Sequence, residues 1–129
     1  MVLLLRQLME SGEVKTGILA ALGDKRLSIA VTAMHDRPDQ DWTLESLAEK
    51  AGMSRARFAS HFRAVTDTTP LDYLTTWRIE ITKNQLRQGR SLKAIAPKVG
   101  YSSAEALIRS FMRHAHITPK EWMRQQALN

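Results

Sequence analysis

There is no cysteine among the 129 residues. Disulfides, zinc–thiolate sites and thiol nucleophiles are thereby excluded together, which fits a reducing cytoplasm. Proline occurs four times and glycine six, and no stretch alternates apolar with polar residues for long. A chain with so few breakers and no period-two pattern reads as helical throughout. Long apolar runs are missing as well. The run at residues 2–5, VLLL, is broken by Arg6. It is too short for a signal-peptide core or a membrane span, and it reads as the buried face of a helix. No glycine-rich loop of the phosphate-binding kind occurs. His114 and His116 form a His-Ala-His pair without acidic or cysteine neighbours at usable spacing, so no metal is expected. Ser60 and His61 are adjacent, but no acid is evident in the sequence to orient the imidazole. No catalytic residue and no cofactor is expected, and nothing argues for an enzyme.

What the chain has is positive charge in one place. Lysine and arginine number 19 against 13 acidic residues, a net charge of +6. Residues 1–40 hold five basic and five acidic side chains, while residues 41–129 hold 14 and 8, so the whole excess sits in the second part. A localised excess of this sign suggests a polyanionic partner; the plainer alternative is a solvated basic surface.

Caps and apolar spacing divide the chain into helices. Residues 2–10 and 16–22 read as short helices, the second stopped by Gly23. Asp24 suits the N-cap of the next stretch, where Leu27, Ala30, Val31 and Met34 form one face until Pro38 ends it. Residues 36–41, DRPDQD, are the clear loop. Thr43 caps residues 44–51 and Gly52 turns the chain. Ser54 then caps residues 55–65, with Phe58, Phe62 and Val65 inward. Thr69-Pro70 opens a long helix to about Gln88, with an expected stripe of Leu71, Leu74, Trp77 and Ile81. Ser91 caps the following short helix, Gly100 turns the chain, and Ser102 or Ser103 starts a helix carrying Leu107 and Phe111. Thr118-Pro119-Lys120-Glu121 forms a capping box before the last helix, which buries Trp122.

Part of this plan is written twice. LAEKAGMS at residues 47–54 returns as IAPKVGYS at residues 95–102. Leu44, Leu47, Ala48, Gly52 and Ser54 match Leu92, Ile95, Ala96, Gly100 and Ser102 at an offset of 48. After one inserted residue, Phe58, Phe62, Pro70 and Tyr73 match Leu107, Phe111, Pro119 and Trp122 at an offset of 49. Two copies are too few for a solenoid; two helix–glycine turn–helix units suggest paired helix-turn-helix modules.

On a helical wheel the second helix of each unit turns a distinctive face outward. In the first copy, Ala56, Ser60 and Arg63 lie opposite the core side, flanked by Arg57 and Ala59. In the second, Glu105, Arg109 and Met112 point out, with Ala104, Ile108 and Arg113 at the edges. Small residues rimmed by arginines suit close approach to a grooved surface. An α-helix fits the major groove of B-DNA, where the base edges are distinguishable, and a helix N-terminus favours phosphate.

The segments WTLESLAEKAGMSRARFASHFRAVTDTTPLDYLTTWRI and SLKAIAPKVGYSSAEALIRSFMRHAHITPKEW resemble the DNA-binding domain of the AraC/XylS family of bacterial transcription regulators over residues 41–124. The resemblance implies an all-α fold of two helix-turn-helix subdomains joined by a long linker helix, with a short helical N-terminal extension. Residues 24–69 would be the first subdomain, residues 70–88 the linker and residues 89–129 the second. Residues 1–23 resemble the connector from an N-terminal domain, cupin-like in part of the family, that lies outside this sequence. Recognition helices would span about 54–65 and 103–114. By position, Ala56, Ala59 and Ser60, then Ala104, Glu105, Ile108 and Arg109, fall where the family reads bases. Arg55, Arg57, Arg63 and Arg113 fall on backbone contacts, beside the helix-starting residues Ser54, Ser102 and Ser103. Arg109 is the foremost candidate base reader, since arginine pairs both acceptors of guanine; its alternative is a phosphate contact. Glu105 suits cytosine N4, or simply the positive end of its own helix.

The implied function is sequence-specific binding of double-stranded DNA and regulation of transcription in a bacterial cytoplasm, at the nucleoid, with RNA polymerase as a partner and no membrane. A monomeric DNA-binding part is expected, with self-association through residues 1–23. The competing reading is a helical protein-interaction module acting on related regulators or on RNA polymerase. Three departures from the family pattern bear on it. Pro97 inside a helix costs about 3 kcal/mol in a regular one and predicts a kink or a late start. His116 stands where glycine is usual. Ala104 and Ile108 offer few hydrogen bonds, which predicts reading of methyl groups or shape by the second unit.

Overall fold

Almost every helix begins where the sequence supplies an oxygen for its first amides. The computed structural model describes residues 16–128, and within them the regular structure is helical. In chain order the helices are α1 (Thr16–Gly23), α2 (Lys25–Asp36), α3 (Leu44–Ala51), α4 (Arg55–Thr66), α5 (Pro70–Arg87), α6 (Leu92–Lys98), α7 (Ala104–Ala115) and α8 (Pro119–Leu128). Asp24, Thr43, Ser54, Thr69, Ser91 and Ser103 cap α2 to α7 in turn, and the Thr118 hydroxyl accepts from Glu121 N–H at the start of α8. Of the two serines that suit the start of α7, Ser103 is the cap. The helix expected over residues 2–10 lies outside the described residues.

The helices build two apolar cores. The first gathers α1 to α4, with Leu27, Ala30, Val31, Met34, Leu47, Phe58 and Phe62 fully buried. Ile18 and Ala21 of α1 are buried in it too. That helix comes close because residue 17 is glycine: a Cβ there would stand 2.7 Å from the Thr66 carbonyl oxygen. The second core gathers α6 to α8 around Ile95, Val99, Leu107, Phe111 and Trp122.

α5 belongs to both cores. Its first half gives Tyr73, Leu74 and Trp77 to the first core, and its second half gives Ile79 and Leu86 to the second. At 100° per residue these two sets point roughly 175° apart. The single stripe expected through Leu71, Leu74, Trp77 and Ile81 is therefore corrected. Leu71 is 42% exposed, and Ile81 is partly buried between the cores. A helix buried on two sides shows no single apolar face.

His35 of α2 fixes the α5 end of the first core. Its ring stacks on Trp77 at 4.0 Å between centroids, and its Nε2 shares a buried hydrogen bond with the Tyr73 hydroxyl. Burial pulls the His35 pKa down to about 4 against the opposing pull of the Asp36 carboxylate, and burial likewise pushes the Tyr73 phenol up.

The repeated turns are alike in their hydrogen bonds. Met53 N–H donates to the Ala48 carbonyl at 3.0 Å, and Tyr101 N–H to the Ala96 carbonyl at 2.9 Å. Gly52 N–H reaches the Glu49 carbonyl and Gly100 N–H the Pro97 carbonyl. Both glycines have positive φ. Pro97 thus occupies the position of Glu49, where the turn uses only the carbonyl. α6 does not start late; it begins at Leu92, directly after its cap, and runs through Pro97. α4 and α7 also end alike. Asp67 (φ 62°) and His116 (φ 66°) are left-handed, and each donates its N–H to the carbonyl four residues back at 2.8 Å.

Two outcomes follow. The His35 pKa lies below its unfolded value, so between about pH 4 and 6.5 the unfolded chain binds the extra proton. Stability is then full above about pH 6.5 and falls as the pH drops toward 4, by at most about 1.4 kcal/mol per pH unit from this residue. Urea unfolding from pH 7.5 to 4.5 should show a steeper loss than in His35→Gln, which keeps a partner for Tyr73. His116→Gly should raise stability by about 0.5–1 kcal/mol, because glycine relieves the left-handed strain; an unchanged or lower unfolding midpoint would contradict it.

Candidate nucleic-acid interface

Each unit presents one helix on three-helix support. α4 rests on α1, α3 and α5 in the first; α7 rests on α5, α6 and α8 in the second. α5 thus supports both of these helices.

α4 forms a ridge between two grooves. Ala56 and Ser60 line both. On one side, a cleft of about 910 Å³ runs to the start of α2, with Lys25, Arg26, Arg57 and His61 in its walls. On the other, a groove of about 450 Å³ is walled by Leu44, Ala59, Pro70 and Leu71, with Arg63 on the α4 side.

The structure places the expected residues as follows. Ala56, Arg57, Ser60 and Arg63 are exposed on α4, and Ala59 is half-buried beside them. Ser54 holds the Arg57 amide at 3.3 Å, and Arg55 pairs with Glu45 at 3.2 Å in solvent, a contact of little energetic weight. On α7, Glu105, Arg109 and Arg113 are exposed, and Ala104 and Ile108 are half-buried. Ser103 caps the helix while Ser102 precedes it, exposed. Arg57, Arg63, Arg109 and Arg113 form no ion pair among the described residues. Arg113 turns toward α5, where it lines a polar cleft of about 410 Å³ with Asp72, Thr75, Thr76, Ser110 and His114. These two helix faces therefore offer uncommitted donors beside small side chains, the properties a groove reader needs.

Three pairings escaped the sequence. His61 has an acid after all: Asp24 Oδ2 lies 2.7 Å from its Nε2. The same carboxylate accepts from the Arg26 and Leu27 amides. The Leu27 amide foremost and His61 next hold the Asp24 pKa below the usual carboxylate range. The dyad ties α4 to the start of α2 and points to no nucleophile.

The second is Arg78 on α5. Its Nε donates to the Pro38 carbonyl and a terminal nitrogen to the Gln40 carbonyl, each at 2.9 Å. Its guanidinium also stands 5.7 Å from the Tyr101 ring centroid, and Gly100 packs against it so closely that a Cβ would come within 2.8 Å. One side chain thus touches the α2–α3 loop of the first unit and the turn of the second. The third is the Tyr101 hydroxyl, 2.7 Å from Ser110 Oγ, which ties that turn to α7. A pattern of i+3 and i+4 spacings shows none of these; the only sequence signal was an arginine and an Asp-capped helix.

No helix among the described residues is long and apolar enough to cross a membrane. A family model described as a helix-turn-helix domain matches residues 47–125. A protein of Streptomyces antibioticus described as an AraC-like transcription regulator is 43% identical over 108 residues, which cover 83% of this chain and 36% of that protein. The chain therefore spans little more than a third of that relative. Among solved structures, a transcriptional regulator of Chromobacterium violaceum with an AraC-type DNA-binding domain is similar at a TM-score of 0.71 and 25% identity, over 81% of this chain and 95% of that one. The DNA-binding domain of AdpA, a global transcriptional factor solved in complex with a target DNA, is similar at 0.65 and 28% identity, over 74% and 86%.

Proposed function

We infer the function from one premise: this chain belongs to the AraC-type helix-turn-helix family. It binds double-stranded DNA by sequence and so regulates transcription, with α4 and α7 in successive major grooves. The observation that supports this most is the pairing of two equivalent reading units on one helix, clamped by Arg78. α5 has 18 residues, about 27 Å of helix, against the roughly 34 Å between major grooves on one face of the duplex.

On this reading Ala56, Ala59 and Ser60 meet bases in one groove, and Ala104, Glu105, Ile108 and Arg109 in the next. Arg55, Arg57, Arg63 and Arg113 meet the phosphates, together with the helix starts at Ser54, Ser102 and Ser103. Residues 24–69 and 89–129 are the reading units, residues 70–88 set their spacing, and residues 1–23 connect. The setting is cytoplasmic, at the nucleoid, with RNA polymerase as a partner and no reaction catalysed. The DNA-binding part acts as a monomer, and residues 1–23 supply any self-association.

The protein-interaction reading draws support from one feature, Met112, which is 45% exposed on α7 next to the half-buried Ile108. Salt separates the two, because neutralised phosphates release counterions.

Selection from a random duplex library at fixed, near-physiological salt should return a motif in two blocks about 10 bp apart. No enrichment would overturn the proposal, and a single block would overturn reading by two units. With the selected site in hand, Arg109→Ala should cost about 1–3 kcal/mol and relax preference at one position, whereas Arg57→Ala should weaken all sequences alike and lower the salt slope by about one. Equal, sequence-blind losses in both would remove Arg109 from the base readers.

A further inference from the structure

The two flanks of α4 differ in chemistry, and the difference identifies what each meets. The cleft toward α2 has Lys25, Arg26 and Arg57 in its walls against one carboxylate, Asp24, which His61 engages. That side suits phosphate. The groove on the other flank is apolar: Leu44, Ala59, Pro70 and Leu71 wall it, and Leu71 stays 42% exposed in spite of it. Ala56 and Ser60 line both grooves, so a duplex seated on the ridge also covers the apolar side. Among the base-edge groups of the major groove, the apolar one is the 5-methyl of thymine.

We propose that the groove between α4 and the start of α5 is a thymine-methyl site, by which the first unit reads A·T pairs through van der Waals contact. The proposal rests on the DNA-binding reading above and adds the chemical group recognised. Methyl reading was expected of the second unit, from Ala104 and Ile108; the open apolar groove lies instead beside α4. The internal repeat shows why. At the offset of 49, Ala59 corresponds to Ile108, Arg63 to Met112 and Leu71 to Lys120. The second unit carries isoleucine, methionine and lysine at these places. The first keeps alanine there, leaves a space of about 450 Å³, and keeps a leucine on the far wall.

Ser60 and Arg63 edge the groove and supply donors beside it. The methyl is therefore held next to groups that reach its own pair or the next. Leu71 is the second residue of α5 and stands outside both cores, so it can be changed without unfolding the chain.

The test replaces thymine by uracil, one position at a time, in the duplex that selection returns. Each methyl seated in the groove should be worth about fourfold in affinity, the weight of one buried carbon. One or two positions within a single block should show it. Leu71→Ser should bring that thymine-over-uracil preference toward one, leaving the affinity for the uracil duplex unchanged and any preference in the other block intact. Sequence-selective binding that ignores uracil at every position would overturn the methyl site and leave the DNA-binding reading standing. A uracil effect that Leu71→Ser does not alter would place the methyl elsewhere on the protein and overturn the site as well. If Leu71→Ser lowers transcription without changing DNA affinity, the groove takes a protein side chain and the proposal fails. If no duplex is selected at all, the DNA-binding reading falls, and this one with it.

Discussion

The guanidinium of Arg78 is the contact on which the relation between the two units depends. α5 offers its first half to one core and its second half to the other, on nearly opposite sides. On the wheel, Arg78 lies about midway between those two directions. From there its planar fork reaches two carbonyls of the loop before α3 and lies by the Tyr101 ring in the turn after α6. Burial of the charge works against it, and Tyr101, Asp41 and Asp39 pull the other way. Lysine would be a poor substitute, because two carbonyls 2.9 Å away and a ring face call for a flat group with several fixed donors. The close fit of Gly100 adds to this. That glycine is needed both for its positive φ and for the room it leaves the fork.

The copies of the repeat are faithful where backbone geometry is at stake and free where the face looks outward. Both turns close with the same pair of amide bonds, and both α4 and α7 end on a left-handed residue that is not glycine. Pro97 is tolerated because the bond it removes sits in the last turn of a short helix, where the carbonyl left without that bond belongs to the exposed Lys93. Between the copies, Ala56 becomes Glu105 and Ser60 becomes Arg109. On the proposed reading, two faces of unlike chemistry on one scaffold make the site direction-sensitive.

What could be read from the sequence was whatever is local. Caps at Asp24, Thr43, Ser54, Thr69 and Ser91, the turns at Gly52 and Gly100, and the inward phenylalanines follow from i+3 and i+4 spacing. The outward faces of α4 and α7 came from the same arithmetic. What stayed hidden is long-range: Asp24 to His61 across 37 residues, His35 to Tyr73 across 38, and Arg78 to Pro38 across 40. His35 lies near the end of α2, and only the arrival of Tyr73 and Trp77 makes it a buried residue. Leu71 was misplaced for a related reason. A period drawn through α5 assumes one buried side, and this helix has two.

A helix buried on two sides must also settle its own polar groups. The Thr76 hydroxyl donates to the Asp72 carbonyl at 3.1 Å and the Thr82 hydroxyl to the Arg78 carbonyl at 2.8 Å, each four residues back. These bonds satisfy the buried hydroxyls without outside partners, so α5 can be packed on both sides. Stiffness is what the proposed reading requires. One helix inserted in one groove makes few base contacts and binds weakly. Once it is seated, a second helix held at a fixed distance and rotation meets its groove as an intramolecular event, at high effective concentration when the spacing matches and almost none when it does not. Looser packing around Arg78 would leave every base contact available and still lose the discrimination between correct and incorrect spacing. Specificity in such a protein belongs as much to the residues that hold α5 as to those that touch DNA.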